Sequence, residues 1–194
     1  MRLKSEIAAY ILCGGKSSRM GQEKGLVAWK GKSFLTWILE AIAPVTGEIF
    51  LVTQNEKYQS FQLPMVADSY ENKGPVSGIY SALHHSKSEW NLILSCDIPA
   101  IQSSFLLDLI AAAKENESPI VLYSDGIHDY PLIAIYHKSL ETEFEKAVLK
   151  NRLKLCDVVN SFFPKKLRID PENQNYLANV NSLKELEKLT LQTY

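Results

Sequence analysis

Residues 7–25 read IAAYILCGGKSSRMGQEKG, and the change of character inside this stretch decides the fold. Ile7 to Leu12 is a short apolar run of the kind that forms a buried strand. It passes directly into a loop with glycines at Gly14, Gly15, Gly21 and Gly25 and cations at Lys16, Arg19 and Lys24. A loop so placed sits at the carboxyl end of its strand, where open α/β sheets collect their ligands. Adjacent glycines reach φ > 0 and can turn backbone amides toward an anion, while Arg and Lys neutralise charge that the amides leave uncompensated. The composition is that of a phosphate cradle, and a solvated loop is the plain alternative.

Outward from this strand the chain alternates apolar runs with amphipathic stretches. The pattern predicts a helix over Phe34 to Ala43 stopped by Pro44, and strands at Ile49 to Val52 and Met65 to Ala67. It continues with a helix over Val76 to His85, a strand at Trp90 to Ser95, a helix over Phe105 to Lys114 and a strand at Pro119 to Tyr123. Such alternation gives parallel strands joined by crossover helices. Leu132 to Tyr136 follows its predecessor after a turn at Asp125 and Gly126, a gap too short for a helical crossover, so this strand should run antiparallel. Helices at Leu140 to Leu149 and Leu183 to Leu189 complete a three-layer α/β/α domain with a mostly parallel sheet carrying one antiparallel strand.

With 194 residues, 46% of them hydrophobic, and no internal repeat or long Pro/Gly/Ser linker, residues 1–194 read as one globular domain. The net charge of −1 provides no global attraction to nucleic acid or anionic lipid, so neither is expected as a partner. Cys13, Cys96 and Cys156 are an odd, widely spaced set that fits free thiols in a reducing compartment. The apolar N-terminal stretch is too short for a membrane span, and a cytoplasmic location is expected.

Two familiar nucleotide motifs fail on inspection. A GxGxxG fingerprint beginning at Gly14 would need glycine where Lys16 stands, and a P-loop ending in Gly31, Lys32 and Ser33 would need glycine at Leu26. Lys30 and Gly31 read instead as a turn, with Ser33 capping the next helix. Asp97 follows the apolar run Trp90 to Ser95, and one well-placed carboxylate suffices for a hard cation such as magnesium when substrate phosphates complete the shell. A turn aspartate is the alternative there, as it is for Asp68. Gly74, Pro75 and Gly78 begin a helix, where either an anion or close packing would use the small residues. Asn179 and Asn181 alternate with Ala178 and Val180, so both amides would face one side of an extended segment. Ser182 and Glu185 make an SxxE capping box. His84, His85, His128 and His137 have no metal-ligand spacing.

The stretch LCGGKSSRMGQEKGLV resembles the LAGGxSxRMGxxKxLL signature of molybdenum cofactor guanylyltransferases, within the wider nucleotidyltransferases, departing from it at Cys13 where alanine is usual. Three further blocks follow in family order: GPVSG, LILSCDIPAI and YLANVNSLKELEKL. The resemblance implies a Rossmann-like nucleotidyltransferase domain that transfers GMP from GTP to the terminal phosphate of the molybdopterin cofactor and releases pyrophosphate. It implies that Leu12, Cys13, Gly14, Gly15, Asp68, Gly74 and Gly78 bind the nucleotide, and that Asp97 holds catalytic Mg²⁺. Lys24 and Arg19 would neutralise the phosphates. Asp129 and Pro131 would lie toward the pterin, and Asn179 and Asn181 toward the metal and the pterin. Transient partners would be a cofactor carrier or acceptor molybdoenzymes. A cytidylyltransferase acting on the same pterin, a sugar-phosphate nucleotidyltransferase and a non-catalytic nucleotide-binding regulator are the rival readings; Gly15 favours guanine over cytosine.

Overall fold

The structure, a computed structural model, describes residues 6–14, 23–115 and 117–192. Gly15 and Arg19 therefore lie outside the described residues. The first strand, β1 (Ile7–Leu12), is the fully buried strand its apolar run predicts. After the glycine loop, a short hairpin of β2 (Ala28–Trp29) and β3 (Lys32–Ser33) turns through Lys30 (φ 45°) and Gly31 (φ 82°). Ser33 then caps α1 (Phe34–Ile42), accepting a hydrogen bond from Thr36 N at 3.2 Å. The alternation continues through β4 (Ile49–Val52), β5 (Met65–Val66), α2 (Pro75–His85), β6 (Trp90–Ser95), α3 (Ser103–Lys114), β7 (Ile120–Ser124) and β8 (Asp129–His137). The chain ends with α4 (Glu141–Leu149), α5 (Leu155–Asn160), β9 (Lys165–Arg168) and α6 (Leu183–Gln192).

The main sheet has seven strands in the order β5-β4-β1-β6-β8-β7-β9. All run in one direction except β8, which is antiparallel to both neighbours. The antiparallel strand is thus beside β7 as expected, and it inserts between β7 and β6. The elements not foreseen from sequence are the β2–β3 hairpin, α5 and β9.

Strand alternation divides the apolar residues of β1 between two layers. Ile7, Ala9 and Ile11 face one way, with Leu92 and Leu94, against Leu35 and Ile38 of α1 and Leu106 and Leu109 of α3. Ala8, Tyr10 and Leu12 face the other way, with Ile93, against Val76, Ile79 and Leu83 of α2 and Phe144 of α4. A third, smaller cluster of Val27, Trp29, Phe34, Ala100, Val180 and Leu189 fastens α6 and the segment before it to the hairpin. No helix among the described residues is long and apolar enough to cross a membrane.

Candidate active site

The carboxyl ends of β1 and β6 are adjacent, with Leu12 opposite Ser95 and Cys96 N donating to Leu12 O at 3.3 Å. That register brings the loop after β1 and the turn after β6 to one point. A short helical turn over Lys24–Leu26 returns the chain after the glycine loop, and Lys24 Nζ lies 2.8 Å from Asp97 Oδ2. The same ammonium donates to Asn181 Oδ1 at 2.5 Å. Asp97 is 4% exposed, and its other oxygen, Oδ1, accepts from Ser95 Oγ at 2.6 Å and from Asn179 Nδ2 at 3.0 Å. The Asn179–Asn181 segment is strapped down through its main chain as well, Val180 N donating to Asp97 O at 2.8 Å.

The strap is held from behind by α6. Glu185 N donates to Ser182 Oγ at 3.3 Å, and Glu185 Oε2 accepts from Asn181 N at 2.5 Å. The expected capping box is therefore present, with its return bond falling on Asn181, one residue before the capping serine.

On the α2 side of this cluster lies a cleft of 560 Å³ lined by Leu12, Gly14, Asp68, Gly74, Gly78 and Ser95, among others. Gly74 precedes α2 at φ 68°, a left-handed conformation that suits glycine, and Pro75 occupies the first turn. Asp68 Oδ1 accepts from Ser81 Oγ at 3.2 Å, from Tyr70 N at 3.3 Å and from Ser77 Oγ. These bonds fix the loop before α2 to the helix itself. Gly78 lets α2 approach β1 closely, since a Cβ there would lie 3.2 Å from Leu12 Cδ1.

Two sequence expectations shift once the side chains are placed. Cys13 lies between Leu12 and Gly14 on the opposite face of the strand, buried with Cys96 and Tyr58, so only its backbone can border the cleft. The neighbouring Cys96 and burial push its thiol well above the usual range, which makes it an unsuitable nucleophile. Asp129 and Pro131 begin β8 at the same edge of the sheet. The Asp129 carboxylate, however, is engaged by Lys166 Nζ at 2.7 Å and not by the Asp97 cluster. The four histidines are spent on peripheral pairs: His84 with Glu141, His137 with Glu89, His128 with Asp125 and His85 with Tyr10.

A divalent cation would find oxygen donors here, Asp97 Oδ2 and Asn181 Oδ1, with a lysine ammonium standing between them as a monovalent cation does. That donor set suits a hard ion bound by one carboxylate together with substrate phosphates. Among the described residues no group of three or more His, Cys, Asp or Glu could hold a metal by itself.

Gly25 supports the cluster from below. A Cβ at this position would lie 3.0 Å from Tyr58 Cε1 and Oη and 3.4 Å from Cys96 Cβ, and Tyr58 is fully buried. We expect Gly25→Ala to cost about 1–3 kcal/mol through overpacking, read as a lower urea midpoint, and to displace the adjacent Lys24. An unchanged midpoint would show that Tyr58 yields freely.

A family model for the MobA-like NTP transferase domain matches residues 9–161. The chain belongs to this family. It is 40% identical over 185 residues to a "Probable molybdenum cofactor guanylyltransferase" of Flavobacterium johnsoniae, covering 95% of this chain and 97% of the relative. A protein of the same name from Carboxydothermus hydrogenoformans is 31% identical, covering 94% of each chain. The fold is shared with molybdopterin-guanine dinucleotide biosynthesis protein A from Archaeoglobus fulgidus, at a TM-score of 0.80 and 21% identity over 95% of this chain and 97% of that one. As a MobA-like NTP transferase the chain is a nucleotidyltransferase.

Several residues of this MobA-like site escape a reading of the sequence. Thr53, Gln54, Glu71, Asn72 and Leu132 also line the cleft, and no local motif marks them. Ser95 could have been found, because it closes the apolar run only two residues before Asp97.

Proposed function

We propose that this nucleotidyltransferase moves GMP from GTP onto the terminal phosphate of the molybdopterin cofactor, in the cytoplasm, with Mg²⁺ as the assisting cation. The observation that carries the reading is the junction of the 560 Å³ cleft with the Lys24–Asp97–Asn181 cluster at one sheet edge. It stands on a chain 40% identical to a guanylyltransferase over 95% of its length. An oxygen of the acceptor phosphate forms a bond to the α-phosphorus of GTP, and the bond to the leaving pyrophosphate breaks. The acceptor phosphate has its second pKa at about 6 and arrives largely ionised, so neither a protein nucleophile nor a dedicated base is required.

The residues divide the remaining work. Leu12, the backbone at Cys13, Gly14, and Asp68 with Gly74 and Gly78 at the start of α2 border the nucleotide, and Lys24 meets its phosphates. When bound at Asp97, a divalent cation supplies charge neutralisation for the α-phosphate and pyrophosphate. Ser95 and Asn179 keep the carboxylate oriented for that role. Arg19 and Gly15 are assigned to the phosphate loop on sequence alone. Asn179 and Asn181 border the acceptor side, with Asp129 and Pro131 farther along the same edge, and a cofactor carrier or an acceptor molybdoenzyme would make transient contact there.

Calorimetry with GTP, CTP and ATP in the presence of Mg²⁺ tests the base assignment. Preference for GTP is expected, followed by guanylyl transfer to molybdopterin. Preference for CTP would move the chain to cytidylyl transfer with the same chemistry, and no nucleotide binding would overturn the reading.

A further inference from the structure

Among the described residues, the donors to the Asp97 carboxylate differ in whether they can leave. Oδ1 is held by Ser95 Oγ, which is buried at the end of β6, and by Asn179 Nδ2. Asn179 belongs to a strap fixed through Val180, which is itself 1% exposed and bonded to Asp97 O. With two donors, the lone pairs of Oδ1 are committed. Among the described residues, the partner of Oδ2 is Lys24. The Lys24 side chain is long and 26% exposed, against 6% for the Asp97 side chain, so it is the partner able to withdraw. A divalent cation therefore reaches the carboxylate at Oδ2, where the ammonium now sits.

We propose that Asp97 and Asn181 form a parking site for the Lys24 ammonium, which a nucleotide's phosphates must vacate before a cation settles on Asp97. The inference rests on the reading above that Asp97 is the cation ligand. Asn181 is then a positioning residue for Lys24, a role beyond the metal and pterin side expected from sequence. Withdrawing Lys24 into solvent costs a charge-assisted hydrogen bond at each of two acceptors. Triphosphate oxygens offer the ammonium equivalent acceptors, so its withdrawal is compensated only when nucleotide is present. The cation and the nucleotide consequently raise each other's affinity by the same factor. Free metal alone is held weakly, and the protein takes up metal and nucleotide together.

Mn²⁺ serves as the probe, its free concentration read by electron paramagnetic resonance with full-length protein and no nucleotide. Lys24→Met should bind Mn²⁺ at least about tenfold more tightly than the wild-type chain, the scale of one charge-assisted hydrogen bond that no longer has to break. The gain should vanish in the Lys24→Met/Asp97→Asn double variant. Lys24→Ala, followed by thermal unfolding, gives a second reading. Mn²⁺ should raise its midpoint while leaving that of the nucleotide-free wild type nearly unchanged.

Equal or weaker Mn²⁺ binding by both Lys24 variants overturns the parking site. A gain that survives Asp97→Asn overturns it as well, because the metal would then bind elsewhere. The two layers fail separately. If the single Asp97→Asn variant takes up Mn²⁺ with GTP as well as the wild type does, the cation assignment itself is wrong. If that variant is defective while the Lys24 variants gain nothing, only the parked lysine is.

Discussion

Asp97→Asn should reduce guanylyl transfer by roughly a thousandfold or more, the loss expected when the ligand that localises charge-neutralising metal is removed. Stability should move far less. The replacement keeps the size of the side chain, and an amide oxygen directed at Lys24 leaves an NH₂ facing Ser95 and Asn179, whose contacts at 2.6 and 3.0 Å are both donations to Asp97. Ser95 can rotate its hydroxyl to accept instead, whereas Asn179 must turn or lose its bond. One strained contact and one weakened ion pair at a partly exposed lysine amount to about 1–2 kcal/mol. Pyrophosphate release with GTP and molybdopterin, set beside a urea titration, separates the two effects. Turnover within tenfold of the wild type, with a normal urea midpoint, would remove Asp97 from the chemistry.

The contrast between what the sequence discloses and what it hides follows from the range of each interaction. β1 and β6 are legible because their residues, Asn91 apart, are apolar or small and their burial is local to the run. The turn at Lys30 and Gly31 is legible as a turn, yet the hairpin it closes is not, because two-residue strands carry no periodicity. β9 reads KKLR, and only Leu167 of its four residues escapes full exposure. Its lysines and arginine suit an exposed sheet edge, where charge discourages pairing with another chain, and that same charge erases the alternation by which strands are recognised.

The candidate site divides in the same way. Lys24, Asp97 and Asn181 each stand out by motif, but their meeting does not. The Lys24–Asp97 bond spans 73 residues and the Lys24–Asn181 bond 157. Only the order of strands in the sheet closes those distances. Cys13 shows the opposite limit: motif position puts it with the nucleotide, and strand alternation turns its side chain away.

Trp29→Ala should be the most damaging single change outside the cluster, costing about 3–5 kcal/mol as expected for truncating a buried tryptophan. Trp29 is 8% exposed and packs with Phe34, Val180 and Leu189. Its indole Nε1 donates to Thr190 Oγ1 at 3.0 Å, and its carbonyl accepts from Trp37 Nε1 at 2.8 Å. The residue thereby joins the hairpin, α1 and α6. Val180 lies in that same cluster, between the two asparagines that reach Lys24 and Asp97. A cavity at Trp29 consequently frees the strap, and turnover should fall at temperatures where the variant is still folded, although the bonds of Trp29 run to Thr190 and Trp37 and not to Lys24, Asp97 or Asn181. Trp29→Phe keeps a ring in the cavity and removes the bond to Thr190, for a loss of about 1 kcal/mol, and should retain most turnover. The decisive comparison is kcat measured well below each variant's unfolding midpoint. If Trp29→Ala loses stability but keeps its kcat there, the strap is held by its bonds to Asp97 alone, and α6 stabilises the chain without positioning the site.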